Sequence, residues 1–246
     1  MPLPPLKVDL YYDIGSPKSW VALELLLRYA PVWNLQLELQ PGLLGAVHKL
    51  TGNQAPGANP YKGAHLVSSS SRVVVAIFTG GLVGQALDLQ RDFTNNKLKG
   101  GIPPFFGGPE HNFLHCARLL RAIKTSCPAD KLMGATRALF TQCWTNFVPP
   151  TKPEFFACLV PSVFSEQQLQ DLLAKSASTE NKNGLKSDTE TLVEEHGAFG
   201  FPWIIVHMPD GHKEAFFGAD RMESMSYVLG PEYKYSGPWP TAPSRL

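Results

Sequence analysis

A chain of 246 residues with 43% hydrophobic and 17% charged side chains is long and apolar enough to bury a core, which excludes a disordered segment. Its formal net charge of +1 excludes the basic excess of a protein whose main partner is nucleic acid or an anionic membrane. Four cysteines, Cys116, Cys127, Cys143 and Cys158, stand without CxxC spacing and read as reduced thiols of an intracellular protein, with no metal centre expected.

In chain order, MPLPPLK carries no apolar signal core and no arginine-rich amphipathic pattern, so secretion and a mitochondrial presequence are disfavoured. Val8, Leu10 and Tyr12 alternate with Asp9, Tyr11 and Asp13, the period of a half-buried strand. Ile14 and Gly15 break it. Ser16 then suits a helix N-cap, and Pro17 suits the first helical position because its missing N–H would be unpaired there. The helix runs on through Trp20, Leu23, Leu26 and Leu27. Leu35, Leu37 and Leu39 form a second strand, ended by Pro41 and Gly42. A helix-length crossover between two strands implies a parallel pair.

The pattern changes at Leu43. LLGAVHKL looks helical, and residues 51–63, TGNQAPGANPYKG, form a loop. Residues 112–126, 129–145, 165–175 and 187–196 read as helices. GAFGFP, residues 197–202, is a turn before the buried strand 203–208. Pro209, Asp210 and Gly211 make a hairpin to the strand Glu214–Phe217. Asp220 opens a last helix through Leu229, and the tail is irregular. The longest uncharged apolar run, between Arg72 and Asp88, is broken by Gly80, Gly81 and Gly84 and is too short to span a bilayer comfortably. No internal repeat is found.

The order β-α-β, helices, α-β-β-α predicts an α/β fold: a thioredoxin-like domain interrupted by an all-α helical insertion. The expected divisions are 1–41 and 188–246 for the thioredoxin-like parts and 42–187 for the insertion.

Ser16 is the first candidate for chemistry. A CxxC would place two sulfurs here, but Ser16 and Ser19 occupy those places, which excludes disulfide exchange by the chain's own thiols at this point. Ser16 is also a weak nucleophile, because no base is adjacent in sequence. A hydroxyl at a helix N-terminus can instead donate to a thiolate brought by a cofactor. A hydrogen bond to a charged group contributes roughly 1.5–3 kcal/mol, and the helix terminus roughly 0.3–1 more. Together these bring a thiol from about 8.5 to neutrality or below. The plainer reading is an N-cap and nothing else.

Pro202 reads either as a proline tolerated at a strand start or as a cis-proline turn. The second reading leaves the Phe201 backbone free to pair with an extended peptide-like ligand. In GADRME, Asp220 and Glu223 fit a capping box. A helix N-terminus flanked by Ala219, Asp220 and Arg221 also suits the amino and carboxylate groups of a ligand. His111 and His115 stand four apart but lack the Glu of a zinc HExxH helix, and read as ordinary helix content. Gly80, Gly81 and Gly84 do not make a phosphate loop.

YYDIGSPKSW, GNQAPGANPYKG, GAFGFPWIIVHMPDG and FFGADRMESMSYVLG together resemble the kappa class of glutathione S-transferases. That class is related to 2-hydroxychromene-2-carboxylate isomerases and DsbA-type oxidoreductases. The resemblance implies glutathione as co-substrate, with Ser16 stabilising its thiolate beside Pro17 and Lys18. It implies that Asn53 and Lys62 reach in from the helical part, Lys62 toward the glycyl carboxylate. Phe201, next to cis-Pro202, would pair with the cysteinyl backbone, and Ala219, Asp220 and Arg221 would hold the γ-glutamyl end. It implies transfer of glutathione to a hydrophobic electrophile or reduction of a hydroperoxide, and a homodimer. Isomerisation of an aromatic carboxylate and a non-catalytic glutathione-binding scaffold remain as alternatives.

Two departures from the class stand out. Lys18 replaces an aromatic residue, and a cation there can aid ionisation while altering the wall for the electrophile. Residues 67–90 are an extra segment, readable either as a translated retained intron, with Val-Ser encoded by GTAAGT and Gln90 by CAG, or as a lineage-specific loop. The terminal Ser244, Arg245 and Leu246 fit a variant of the SKL address read by the peroxisomal import receptor, so a peroxisome is expected, with mitochondrion or cytosol as alternatives. Neither a nucleic-acid partner nor membrane insertion is expected.

Overall fold

The computed structural model describes residues 3–54 and 83–240, with side chains from residue 88 onward in the second stretch. Lys62, Gly80, Gly81, the extra segment up to residue 82 and Ser244, Arg245 and Leu246 lie outside the described residues. The order is β1 (Leu6–Tyr12), α1 (Pro17–Trp33), β2 (Leu35–Pro41), α2 (Leu44–Thr51), α3 (Val83–Asn95), α4 (Leu114–Ser126), α5 (Ala129–Trp144), α6 (Glu154–Ala157), α7 (Glu166–Ser176), α8 (Thr179–His196), β3 (Trp203–His207), β4 (Lys213–Phe217) and α9 (Met222–Leu229).

The sheet has the order β2-β1-β3-β4. β1 pairs parallel with β2, Leu6 opposite Leu35, as the crossover requires, and antiparallel with β3. The β3–β4 hairpin closes where Gly211, at φ 91°, donates to the Met208 carbonyl. Val8, Leu10 and Tyr12 are fully buried against α1 and α5, and the Tyr12 hydroxyl meets the Thr136 hydroxyl at 2.5 Å.

The expectation of a half-buried β1 needs correction. Asp9 and Asp13 are buried as well, because α2 and α8 cover the second face, with Val47 and Leu192 in one cluster with Phe201, Trp203 and Ile205. Asp9 keeps partners there, accepting from Gln40 at 3.1 Å and meeting the His207 ring at 2.6 Å. An alternating sequence fits a one-faced sheet, but here the polar residues of the second face are paired beneath helices.

Other boundaries shift for local reasons. The helix expected at 187–196 is the end of α8, which starts at the Ser178 N-cap. Gly184, a poor helix former, lets the Arg121 guanidinium lie against the helix, where a Cβ would stand 2.1 Å from it. α9 begins at Met222 with Arg221 as N-cap and no side-chain cap, so Asp220 does not open the helix and its capping box with Glu223 does not form. Gly218 stands at φ 107°, and a Cβ there would lie 2.6 Å from the Asp220 carboxylate. His111 falls outside α4, in the turn before it, so the two histidines do not share a helix. α3 was not anticipated; its first residues belong to the extra segment.

Candidate active site

The site is assembled where four chain segments meet. Ser16 is the N-cap of α1, and its hydroxyl oxygen accepts from the Ser19 N–H at 3.3 Å. The same hydroxyl donates to the Phe201 carbonyl at 3.3 Å. The Phe201–Pro202 peptide bond is cis, as one of the two readings of Pro202 requires, and the Phe201 carbonyl is occupied by the Ser16 hydroxyl. The Pro202 carbonyl accepts from Gly218 N–H at 3.0 Å, and that bond brings Ala219, Asp220 and Arg221 to the cis-proline turn. Asn53, just past α2, donates to the Phe199 carbonyl at 2.7 Å and so reaches the same turn. Ser16, Phe201, Pro202 and Ala219 are buried, Pro17 and Asn53 half-buried, and Lys18, Asp220 and Arg221 exposed.

Two of these residues are engaged in other ways than expected. The Lys18 ammonium pairs with Asp92 of α3, so it is neutralised by a partner from the helical part. Asp220 pairs with its neighbour Arg221 at 3.0 Å, and Arg221 also donates to the Phe217 carbonyl at 3.3 Å. Among the described residues no group of three His, Cys, Asp or Glu side chains is placed to hold a metal ion, and no helix is long and apolar enough to cross a membrane.

Residues 7–230 match the DSBA-like thioredoxin domain family. The chain is 33% identical over 239 residues to glutathione S-transferase kappa 1 of Homo sapiens, covering 97% of this chain and 96% of that one. It is 30% identical to glutathione S-transferase kappa 1 of Rattus norvegicus, covering 96% and 95%. The chain belongs to the kappa class of glutathione transferases. A solved 2-hydroxychromene-2-carboxylate isomerase aligns with a TM-score of 0.68 at 18% identity, covering 91% and 94%, which is a likeness of fold.

Around this kappa-class site stand residues to which the sequence reading gave no part in the site. Gly15 has no room for a side chain, since a Cβ would lie 2.7 Å from the Phe113 ring. Trp144 of α5 donates to the Ile14 carbonyl at 2.8 Å. These two contacts pin the turn before Ser16 to the helical part. His111 lies among aromatic rings, 4.7 Å from Phe106 and 4.9 Å from Phe113 between centroids, with Phe105 and Trp144 farther out. Its Nε2 is buried without a hydrogen-bond partner among the described residues, and burial lowers its pKa to about 4. Asp13 is buried too, and desolvation pushes its carboxyl up to about 6 against two backbone N–H bonds. The alternation hid Asp13 by assigning it to a solvent face. The aromatic run Phe105, Phe106 and Phe113 around His111 was the one readable trace of the ring cluster.

Proposed function

We propose that the protein transfers glutathione to hydrophobic electrophiles, with the thiolate held by Ser16 at the α1 N-terminus. The observation that carries this is the hydroxyl of Ser16 set 3.3 Å from the carbonyl beside a cis-proline. That carbonyl and its N–H are the backbone groups a cysteinyl residue would pair with in extended geometry. The α1 dipole and one hydroxyl favour the charged sulfur. Catalysis then consists of thiolate stabilisation and positioning. Asn53 and the Ala219–Arg221 turn are the remaining glutathione contacts, with Lys62 added on the class resemblance.

The test is a pH titration of bound glutathione followed by thiolate absorbance, in the protein and in Ser16→Ala, together with product analysis on a chloro-nitroarene, an organic hydroperoxide and a chromene carboxylate. Thioether product from the first supports the transferase. Turnover of the chromene carboxylate without conjugation supports the isomerase, and glutathione binding without any turnover supports a scaffold. A homodimer fits the class and the exposed Phe199 and Phe217 rings, 4.6 Å apart beside the edge strand β4. Peroxisomal residence rests on the likeness of Ser244-Arg245-Leu246 to the SKL address, and removal of those three residues followed by imaging in cells tests it.

A further inference from the structure

Asp13 follows β1 and is 4% exposed. Its two carboxylate oxygens are divided between two elements. Oδ1 accepts from the Gly15 N–H at 2.8 Å, and Oδ2 accepts from the Leu44 N–H at 2.7 Å. Gly15 precedes Ser16, and the Asp13 carbonyl also accepts the Ser16 N–H at 3.0 Å, so one residue holds the turn twice. Leu44 is the first residue of α2, whose N-cap Leu43 offers no side-chain acceptor. Asp13 therefore supplies, from the sheet, the cap that this helix lacks in its own sequence.

The bonds continue beyond α2. Asn53 leaves its C-terminus and donates to the Phe199 carbonyl. Two residues later the Phe201 carbonyl accepts the Ser16 hydroxyl. The contacts close a ring: Ser16, Asp13, α2, Asn53, Phe199 to Phe201, and back to Ser16. Among Ser16, Asp13, Leu44, Asn53, Phe199 and Phe201, only Asp13 is ionisable below the alkaline range.

We propose that Asp13 is a positioning residue of the thiolate site, its carboxylate locking the Ser16 turn to α2 so that Ser16 and Asn53 are held as one unit. The inference rests on the glutathione reading above. The reason for a carboxylate is its acceptor count. Both facing groups are backbone donors, and an ionised carboxylate offers two oxygens and no hydrogen. An asparagine would turn an NH2 toward one of the two N–H groups, and a protonated acid would turn an O–H.

The buried groups that feel its charge are the Tyr12 phenol on β1, the Cys116 thiol on α4 and the Cys143 thiol on α5, each pushed upward mainly by burial. They stay neutral while Asp13 titrates. No ionisable side chain of α1 or α2 contributes to its shift.

The first test uses the unmodified protein. Backbone amide resonances of Gly15 and Leu44, followed by NMR against pH, are expected to titrate together with one midpoint. Separate midpoints, or no titration, overturn the proposal. This measurement needs no glutathione, so it stands even if the thiolate reading fails, a failure that would show as absent thiolate absorbance. The second test is Asp13→Asn, expected to lower kcat/KM roughly tenfold with a raised KM for glutathione. The coupling between Ser16→Ala and Asn53→Ala, read on the pKa of the bound thiol, should vanish in that background. A variant that keeps this coupling and the wild-type KM overturns the proposal, whatever its thermal stability.

Discussion

The Ser16 hydroxyl donates to the Phe201 carbonyl at 3.3 Å. A thiolate arriving beside it is a charged acceptor, and bonds to charged groups are about twice as strong as neutral ones, so the hydroxyl hydrogen turns to the sulfur. Ser16→Ala should raise the pKa of bound glutathione by about one to two units and slow turnover near neutrality by about 10–100-fold. Thiolate absorbance measures the first and steady-state kinetics the second. The lost N-cap should also cost about 1 kcal/mol, read separately by thermal unfolding.

Gly42 leaves the space that the Phe201 ring fills. A Cβ at Gly42 would sit 2.6 Å from the ring, while the Gly42 N–H is fixed to the Tyr12 carbonyl at 2.9 Å. The ring must yield, and its own backbone carries the carbonyl paired with Ser16. Gly42→Ala should cost about 1–3 kcal/mol and raise KM for glutathione more than it lowers kcat. An unchanged KM would mean that the ring relaxes without moving the cis-proline turn.

Lys18 was expected as a cation beside the thiolate, but its ammonium is paired with Asp92. Both side chains are a third or more exposed, and such pairs contribute about 0–1 kcal/mol. Lys18→Ala should therefore lower stability by less than about 1 kcal/mol and leave the titration of bound glutathione in place. A marked upward move of that titration would show that Lys18 leaves Asp92 when glutathione binds.

Much of this site was legible because its parts are local. Ser16 and Pro17 declare a helix start by cap chemistry alone, and Gly211 declares a hairpin. The parallel β1–β2 pair follows from a crossover of helix length. What escaped depends on contacts across the chain. Asp13 reads as a surface residue until α2 is laid over it, since Leu44, its second donor, lies 31 residues away. His111 reads as one of a helical pair until Phe106 and Phe113 close around it. Asp220 and Glu223 are spaced for a capping box, but Asp220 pairs with Arg221 instead. Local rules describe what a segment can do, and the partner that arrives in space decides among the options.

His111 and Asp13 should bend the pH dependence of stability in opposite directions. Burial lowers the His111 pKa from 6.5 to about 4. The unfolded chain takes up a proton below pH 6.5 that the fold refuses, so the His111 contribution is present above that pH and is lost as pH falls toward about 4, by on the order of 3 kcal/mol. Asp13 is raised from 3.8 to about 6. Here the fold holds a proton that the unfolded chain has released, so its contribution is fully present below pH 3.8 and is lost as pH rises through about 6. His111→Phe removes the orphaned Nε2, worth about 1–3 kcal/mol, and should gain on the wild type as pH falls. Asp13→Asn should lose ground to the wild type over the same interval. Chemical denaturation at several pH values between these limits yields the two difference curves. Slopes of the same sign would mean that one of the two side chains is solvated in the folded protein, and the variant with the flat or inverted curve identifies which.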